Sequence, residues 1–212
     1  MEWIVQLVDL VLHLDRHLGV FLANYGAWIY VLLFVIVFAE TGLVVTPFLP
    51  GDSLLFVTGT LAAAGGMDVR WLMAVLVAAA LTGDNVNYWA GRYLGPRVFR
   101  NESARWLNRK HLERTRGFYE RYGVKTIVLA RFIPVIRTFA PFVAGVGRMP
   151  YGRFITVSVL AALLWVVSLV LAGYFFGNIP WVRQNLSVVI AAIIVISVLP
   201  AVFEALRQRR RG

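Results

Sequence analysis

The chain contains no cysteine, which excludes disulfides, thiolate metal sites and cysteine nucleophiles. Charge is scarce: 15% of residues are charged and 59% are hydrophobic, against about 25% and about 45–50% in soluble domains. Histidine is nearly absent, with three residues, none of them inside an apolar run. The N-terminus lacks the basic, apolar, small-residue order of a cleaved signal peptide. Glu2, Asp9 and Asp15 interrupt it, so the segment is expected to be retained. With 212 residues and a mean hydropathy of +0.72, the chain reads as an all-α integral membrane protein. At about 20 residues per spanning helix, its length allows one domain of about four to six membrane elements, without a separate soluble domain.

The charges that are present are concentrated. Between Arg92 and Lys125 basic residues outnumber Glu102, Glu113 and Glu120, and the tail 207–212 carries Arg207, Arg209, Arg210 and Arg211. A formal net charge of +10 invites a nucleic-acid reading. In a membrane protein, however, loop arginines mark the cytoplasmic side and can hold anionic lipid headgroups. The expectation is therefore no nucleic acid, a basic cytoplasmic connector over 92–125 and a basic cytoplasmic tail over 207–212.

Apolar runs place the expected spans at Trp71–Tyr93, Phe154–Gly177 and Leu186–Leu206, with a further helix from Ala27 that meets Glu40. Residues 1–22 alternate apolar and charged positions at helical spacing, as an interfacial amphipathic helix does. Two segments are apolar yet crowded with helix-stopping residues: 46–66, with Pro47, Pro50, Gly51 and Gly59, and 126–150, with Pro134, Pro141 and Gly145. Each is read as a re-entrant hairpin, with Pro50, Gly51, Pro134 and Pro141 at the chain reversals and small-residue turns at Gly59 and Gly145. Irregular backbone at membrane depth is tolerated only where protein or a wet cavity satisfies it.

With both basic segments inside, the positive-inside rule makes the two hairpins enter from opposite faces and puts both termini in the cytoplasm. Phe48-Leu49-Pro50 followed by Asp52, and Phe132-Ile133-Pro134 followed by Arg137, echo one another. The expected architecture is thus an inverted repeat with two opposed hairpins, about four spanning helices and an N-terminal amphipathic helix.

Glu40 and Asp52 lie in the first broken segment and its entry; Arg131 and Arg137 lie in the second. A charge at bilayer depth costs about 2.5–3.5 kcal/mol on insertion scales, so each needs a partner, water or a task. A carboxylate moving between apolar and guanidinium-rich surroundings can take up and release a proton, which makes Glu40 and Asp52 candidates for proton or ion coupling. The alternative is a structural ion pair. The guanidinium fork matches phosphate oxygens bidentately, so Arg131 and Arg137 are candidates for a phosphate headgroup; the alternative is that they only neutralise the two acids. Asp84, Asn87 and Tyr88 share one helix face with Gly91 and either line a pathway or brace a hairpin. His13 and His17 have i,i+4 spacing but no third ligand, so no metal or other cofactor is expected. A lipid-phosphate hydrolase would need a histidine near the arginines, and the apolar runs hold none, so the chain is not expected to be an enzyme.

The stretches FAETGLVVTPFLPGDSLLFVTGTLAA, GDNVNYWAGRYLG and FYERYGVKTIVLARFIPVIRTFAPFVAGVGRMPY, with GYFFGNIP near the last span, resemble the bacterial DedA family over nearly the whole chain. The resemblance implies a multi-pass protein of the bacterial inner membrane in the same superfamily as VTT-domain lipid scramblases. It implies translocation of a lipid carrier such as undecaprenyl phosphate, or of a phospholipid, linked to a proton or sodium gradient. It maps the family's important acids onto Glu40 and Asp52 and its important arginines onto Arg131 and Arg137. A proton- or sodium-coupled small-ion antiporter and a non-transporting envelope-maintenance factor remain open as alternatives, as does homo-oligomerisation.

Overall fold

The computed structural model describes residues 14–43, 51–98 and 134–195. Every element among them is helical: α1 (Leu14–Tyr25), α2 (Trp28–Gly42), α3 (Gly51–Ala63), α4 (Val69–Val98), α5 (Pro134–Val146), α6 (Tyr151–Phe176), α7 (Pro180–Gln184) and α8 (Leu186–Val195). Two stretches, Val69–Leu94 and Tyr151–Phe176, are long and apolar enough to cross a membrane, while Trp28–Gly42 and Leu186–Val195 are apolar but shorter. The first 13 residues of the expected interfacial helix, the basic connector from 99 onward, the tail and the end of the last expected span lie outside the described residues, as do Pro47, Pro50 and Arg131.

The helix boundaries follow local chemistry. Asp68 caps α4, its Oδ1 accepting from the backbone N–H of Arg70 at 2.8 Å and of Trp71 at 3.2 Å, so two orphan donors of the first turn are satisfied. Pro134 and Pro180 open α5 and α7, where proline's fixed φ suits the helix and its missing N–H removes nothing. The short helices α3 and α5 each hold 13 residues, about 20 Å of rise against a hydrocarbon core of about 30 Å.

Here the structure corrects the sequence reading. Gly59, Gly145 and Pro141 are not turns but lie inside helices, while Gly51 and Pro134 are the first residues of α3 and α5, with the residues before them outside the described ones. The turns that end the two helices come later, at Gly65-Gly66 and Gly147-Arg148. In the first, Gly66 N–H donates to the Leu61 carbonyl and Gly65 N–H to that of Ala62; in the second, Met149 N–H donates to Ala144 and Arg148 N–H to Gly145. Both are Schellman caps, in which a left-handed residue closes the helix. Gly59 and Gly145 therefore marked the right neighbourhoods for the wrong reason, because these glycines inside the helices serve packing.

The chain divides into two compact units. Unit 1 comprises 1–36, 48–76 and 165–212; unit 2 comprises 37–47 and 77–164. In unit 1, α3 lies against the second half of α6. A Cβ on Gly59 would overlap the Val170 carbonyl oxygen, and one on Gly173 would overlap the Phe56 carbonyl oxygen, so the two backbones touch through reciprocal glycines. Small residues permit that approach between membrane helices, where dispersion and interhelical contacts replace the hydrophobic effect. Leu54, Leu55, Val57, Trp165, Val166 and Val170 are buried around this crossing.

In unit 2 the same arrangement recurs between α5 and the second half of α4. A Cβ on Gly145 would overlap the Tyr88 carbonyl oxygen, and one on Gly91 that of Phe142. Tyr88, Ala144, Met149, Phe154 and Val157 form the core there, with the Tyr88 and Phe154 rings stacked at 4.4 Å between centroids.

Candidate functional site

The last turn of α2 brings the one acid of an otherwise uncharged helix, Glu40, into the interior of unit 2, where it is 1% exposed. Its depth is set by a close crossing. A Cβ on Gly42 would sit 3.1 Å from Gly83 Cα, and one on Gly83 would overlap Thr41 Oγ1, so α2 and α4 meet backbone to backbone. Arg137, from the first turns of α5, forms a buried ion pair with Glu40 through Nη2 and Oε1. Removing one partner of such a pair leaves an uncompensated charge and costs about 3–5 kcal/mol, even where the intact pair adds little net stability.

Asn87 holds the helices that carry the pair. Its Nδ2 donates to the Thr41 carbonyl at 3.1 Å and to the Thr138 carbonyl at 2.6 Å, the residues that follow Glu40 and Arg137. One amide thereby ties the end of α2 to α5. Pro141, four residues beyond Arg137, supplies no N–H to that residue's carbonyl, so α5 lacks one intrahelical bond at the turn that presents the guanidinium. One turn back on α4, the Asp84 carboxylate accepts from the Ser158 hydroxyl of α6. Tyr88 OH donates to the Met149 carbonyl at 2.6 Å. Glu40, Thr41, Asp84, Asn87, Tyr88, Arg137, Thr138 and Ser158 are all buried, so the polar face of α4 points into protein.

Asp52 lies in unit 1, in the first turn of α3, where the helix dipole favours a carboxylate. It is half-buried, and its Oδ1 accepts from the indole N–H of Trp165 at 2.8 Å. Trp165 itself is 1% exposed, and a buried indole N–H needs an acceptor.

Of the candidates named from sequence, the structure thus joins Glu40 to Arg137, groups Asp84, Asn87 and Tyr88 on the buried face of α4, and gives Asp52 an indole donor in the other unit. His17 is exposed; His13 and His111 fall outside the described residues. Among the described residues no three His, Asp or Glu side chains gather as a metal site would require. Sequence reasoning missed Ser158, Thr41, Thr138 and Trp165. Only Trp165 carried a usable signal, since a tryptophan mid-way along an apolar span has an N–H to satisfy.

The fold and its buried polar cluster define a helical membrane protein, and the family model of the VTT domain matches residues 49–175, from just before α3 to the last turn of α6. The chain belongs to the bacterial DedA family. It is 51% identical over 212 residues to Protein DedA of Escherichia coli (strain K12), covering 99% of this chain and 97% of that protein. It is 42% identical over 171 residues to an uncharacterized membrane protein of Mycobacterium leprae (strain TN), covering 81% and 77%. Inner membrane protein YghB of Escherichia coli (strain K12) is 36% identical over 157 residues, covering 74% and 72%. No solved structure matches the chain.

Proposed function

We propose that this protein translocates an anionic lipid headgroup, that of a polyprenyl phosphate or a phospholipid, between the leaflets of the bacterial inner membrane. In this reading both termini are cytoplasmic, α3 and α5 belong to the two re-entrant hairpins, and a proton or sodium gradient drives the step. The observation that carries it is the buried Glu40–Arg137 pair, which in this reading lies at hydrocarbon depth. A bare phosphate carries a large desolvation penalty at that depth; a guanidinium fork offsets it by two charge-assisted hydrogen bonds. Glu40 occupies Arg137 while no phosphate is bound and leaves it, protonated, when one arrives. Arg131 provides the second cation, Asp52 a second exchangeable carboxylate, and Asp84 braces the cluster. The same carboxylates, with no lipid substrate, would serve a small-ion antiporter.

The test is headgroup movement in proteoliposomes, comparing undecaprenyl phosphate with common phospholipids. The variant Glu40→Gln/Arg137→Gln removes both charges while keeping two hydrogen-bonding amides, so the protein should stay folded and translocation should stop. Full translocation by that folded double variant would sink the proposal. The burial of the Glu40–Arg137 ion pair also favours a second reading, a structural lock in an envelope-maintenance factor. In that case the charge swap Glu40→Arg/Arg137→Glu preserves the cellular function, whereas headgroup binding requires the guanidinium on α5. Proton flux without lipid movement would favour the antiporter.

A further inference from the structure

The two Schellman caps differ at one residue. In the first, the left-handed position is Gly65, with φ of +82°; in the second it is Arg148, with φ of +55°. Among the described residues Arg148 is the one non-glycine residue in that region. A side chain there crowds its own backbone, a cost that glycine avoids. Backbone strain held at one exposed residue points to a use for its side chain. A cation near the end of α5 gains from the helix dipole, but an arginine one residue earlier, at Gly147, would gain the same without the left-handed conformer.

The surroundings indicate the use. Arg148 is exposed, as is Arg153 in the first turn of α6, and Arg92 near the end of α4 is half-buried. Arg92 is held in place: its Nη1 donates to Tyr88 OH at 3.0 Å, and its guanidinium carbon lies 5.8 Å from the centre of the Trp89 ring. Tyr88 OH in turn donates to the carbonyl of Met149, the residue after Arg148. Trp89, Tyr93 and Tyr151 are exposed around them, with Trp89 5.6 Å from both Tyr93 and Tyr151. Among the described residues no Asp or Glu occurs in 85–98 or 134–176, and Asp84, just before, is buried against Ser158. The patch also stands where one membrane-length stretch ends, at Leu94, and the other begins, at Tyr151. Exposed tryptophan and tyrosine beside arginine at that level belong to the headgroup layer of a bilayer.

We propose that Arg92, Arg148 and Arg153, framed by Trp89, Tyr93 and Tyr151, dock the headgroup phosphate of an anionic phospholipid. This site is exposed and belongs to unit 2, and it needs no movement of the buried Glu40–Arg137 pair. It does not depend on the protein being a translocator. The aromatic frame distinguishes a lipid from a free phosphate: the rings suit the boundary between headgroup and acyl chain, where an inorganic anion has nothing to bury.

Arg148→Gly is the informative variant, because it removes the charge while relieving the backbone. Full-length protein in zwitterionic detergent would be titrated with phosphatidylglycerol and, separately, with phosphatidylcholine, reading bound lipid by native mass spectrometry. Phosphatidylglycerol affinity should fall about fivefold in Arg148→Gly and about 25-fold in Arg148→Gly/Arg153→Gln, as about 1 kcal/mol per interfacial arginine implies. Phosphatidylcholine binding should not change, and the melting temperature of Arg148→Gly should be equal or higher. Three outcomes would overturn the proposal: unchanged phosphatidylglycerol affinity in the folded double variant, inorganic phosphate displacing the lipid at equal concentration, or a lower melting temperature in Arg148→Gly, which would make the arginine structural.

Discussion

In unit 1, α3 sets Phe56 and Gly59 against Val170 and Gly173 of α6; in unit 2, α5 sets Phe142 and Gly145 against Tyr88 and Gly91 of α4. The spacing is the same on all four segments, and so is the contact, a glycine under a carbonyl. What fills the space beside the crossing differs. Unit 1 places a half-buried carboxylate, Asp52, under a neutral indole donor. Unit 2 places a fully buried carboxylate, Glu40, on a cation, ties the helices of the pair through Asn87, and holds a separate buried Asp84–Ser158 hydrogen bond. Scaffold and chemistry are thus separable: a repeated crossing supplies rigidity twice, while the buried ion pair occurs on one copy among the described residues. Protonating Glu40 removes its charge from the pair with Arg137, whereas the Asp52–Trp165 contact joins a carboxylate to a neutral donor.

Substitutions can break this comparison in graded steps. The largest effect should come from Arg137→Ala, which removes one partner of the buried pair and should lower stability by about 3–5 kcal/mol, measured by thermal or denaturant unfolding in detergent; a loss below about 1 kcal/mol would show that Glu40 is neutral, solvated or held by another group. Next, Gly59→Val and Gly91→Val should each cost about 3 kcal/mol, because overpacking here meets backbone and not a flexible side chain. Equal losses would support the equivalence of the two crossings, and a loss at only one of them would end it. Asn87→Leu should cost about 1–3 kcal/mol through two carbonyls deprived of their donor. It should also slow headgroup movement, whereas a purely structural Asn87 would change stability alone.

The membrane class was legible in hydropathy, and so were the long helices: Trp71–Tyr93 and Phe154–Gly177 were expected where Val69–Val98 and Tyr151–Phe176 are found. The polar face of α4 was legible too, since Asp84, Asn87 and Tyr88 recur at helical spacing. Turns were not. Gly59 and Gly145 look like Gly65 in sequence, and only coordinates separate a glycine that packs from a glycine that reverses the chain. A left-handed arginine could not be foreseen at all, because propensity argues against it.

Sequence by itself determined that Glu40, Asp52 and Arg137 are too costly at bilayer depth to be left unattended, because the desolvation of a charge depends on its surroundings being apolar, and apolar runs are read directly. Which group attends to which was decided by tertiary structure. Glu40 and Arg137 lie 97 residues apart, and Asp52 and Trp165 lie 113 apart. No periodicity links such positions; the glycine crossings that let the helices approach do.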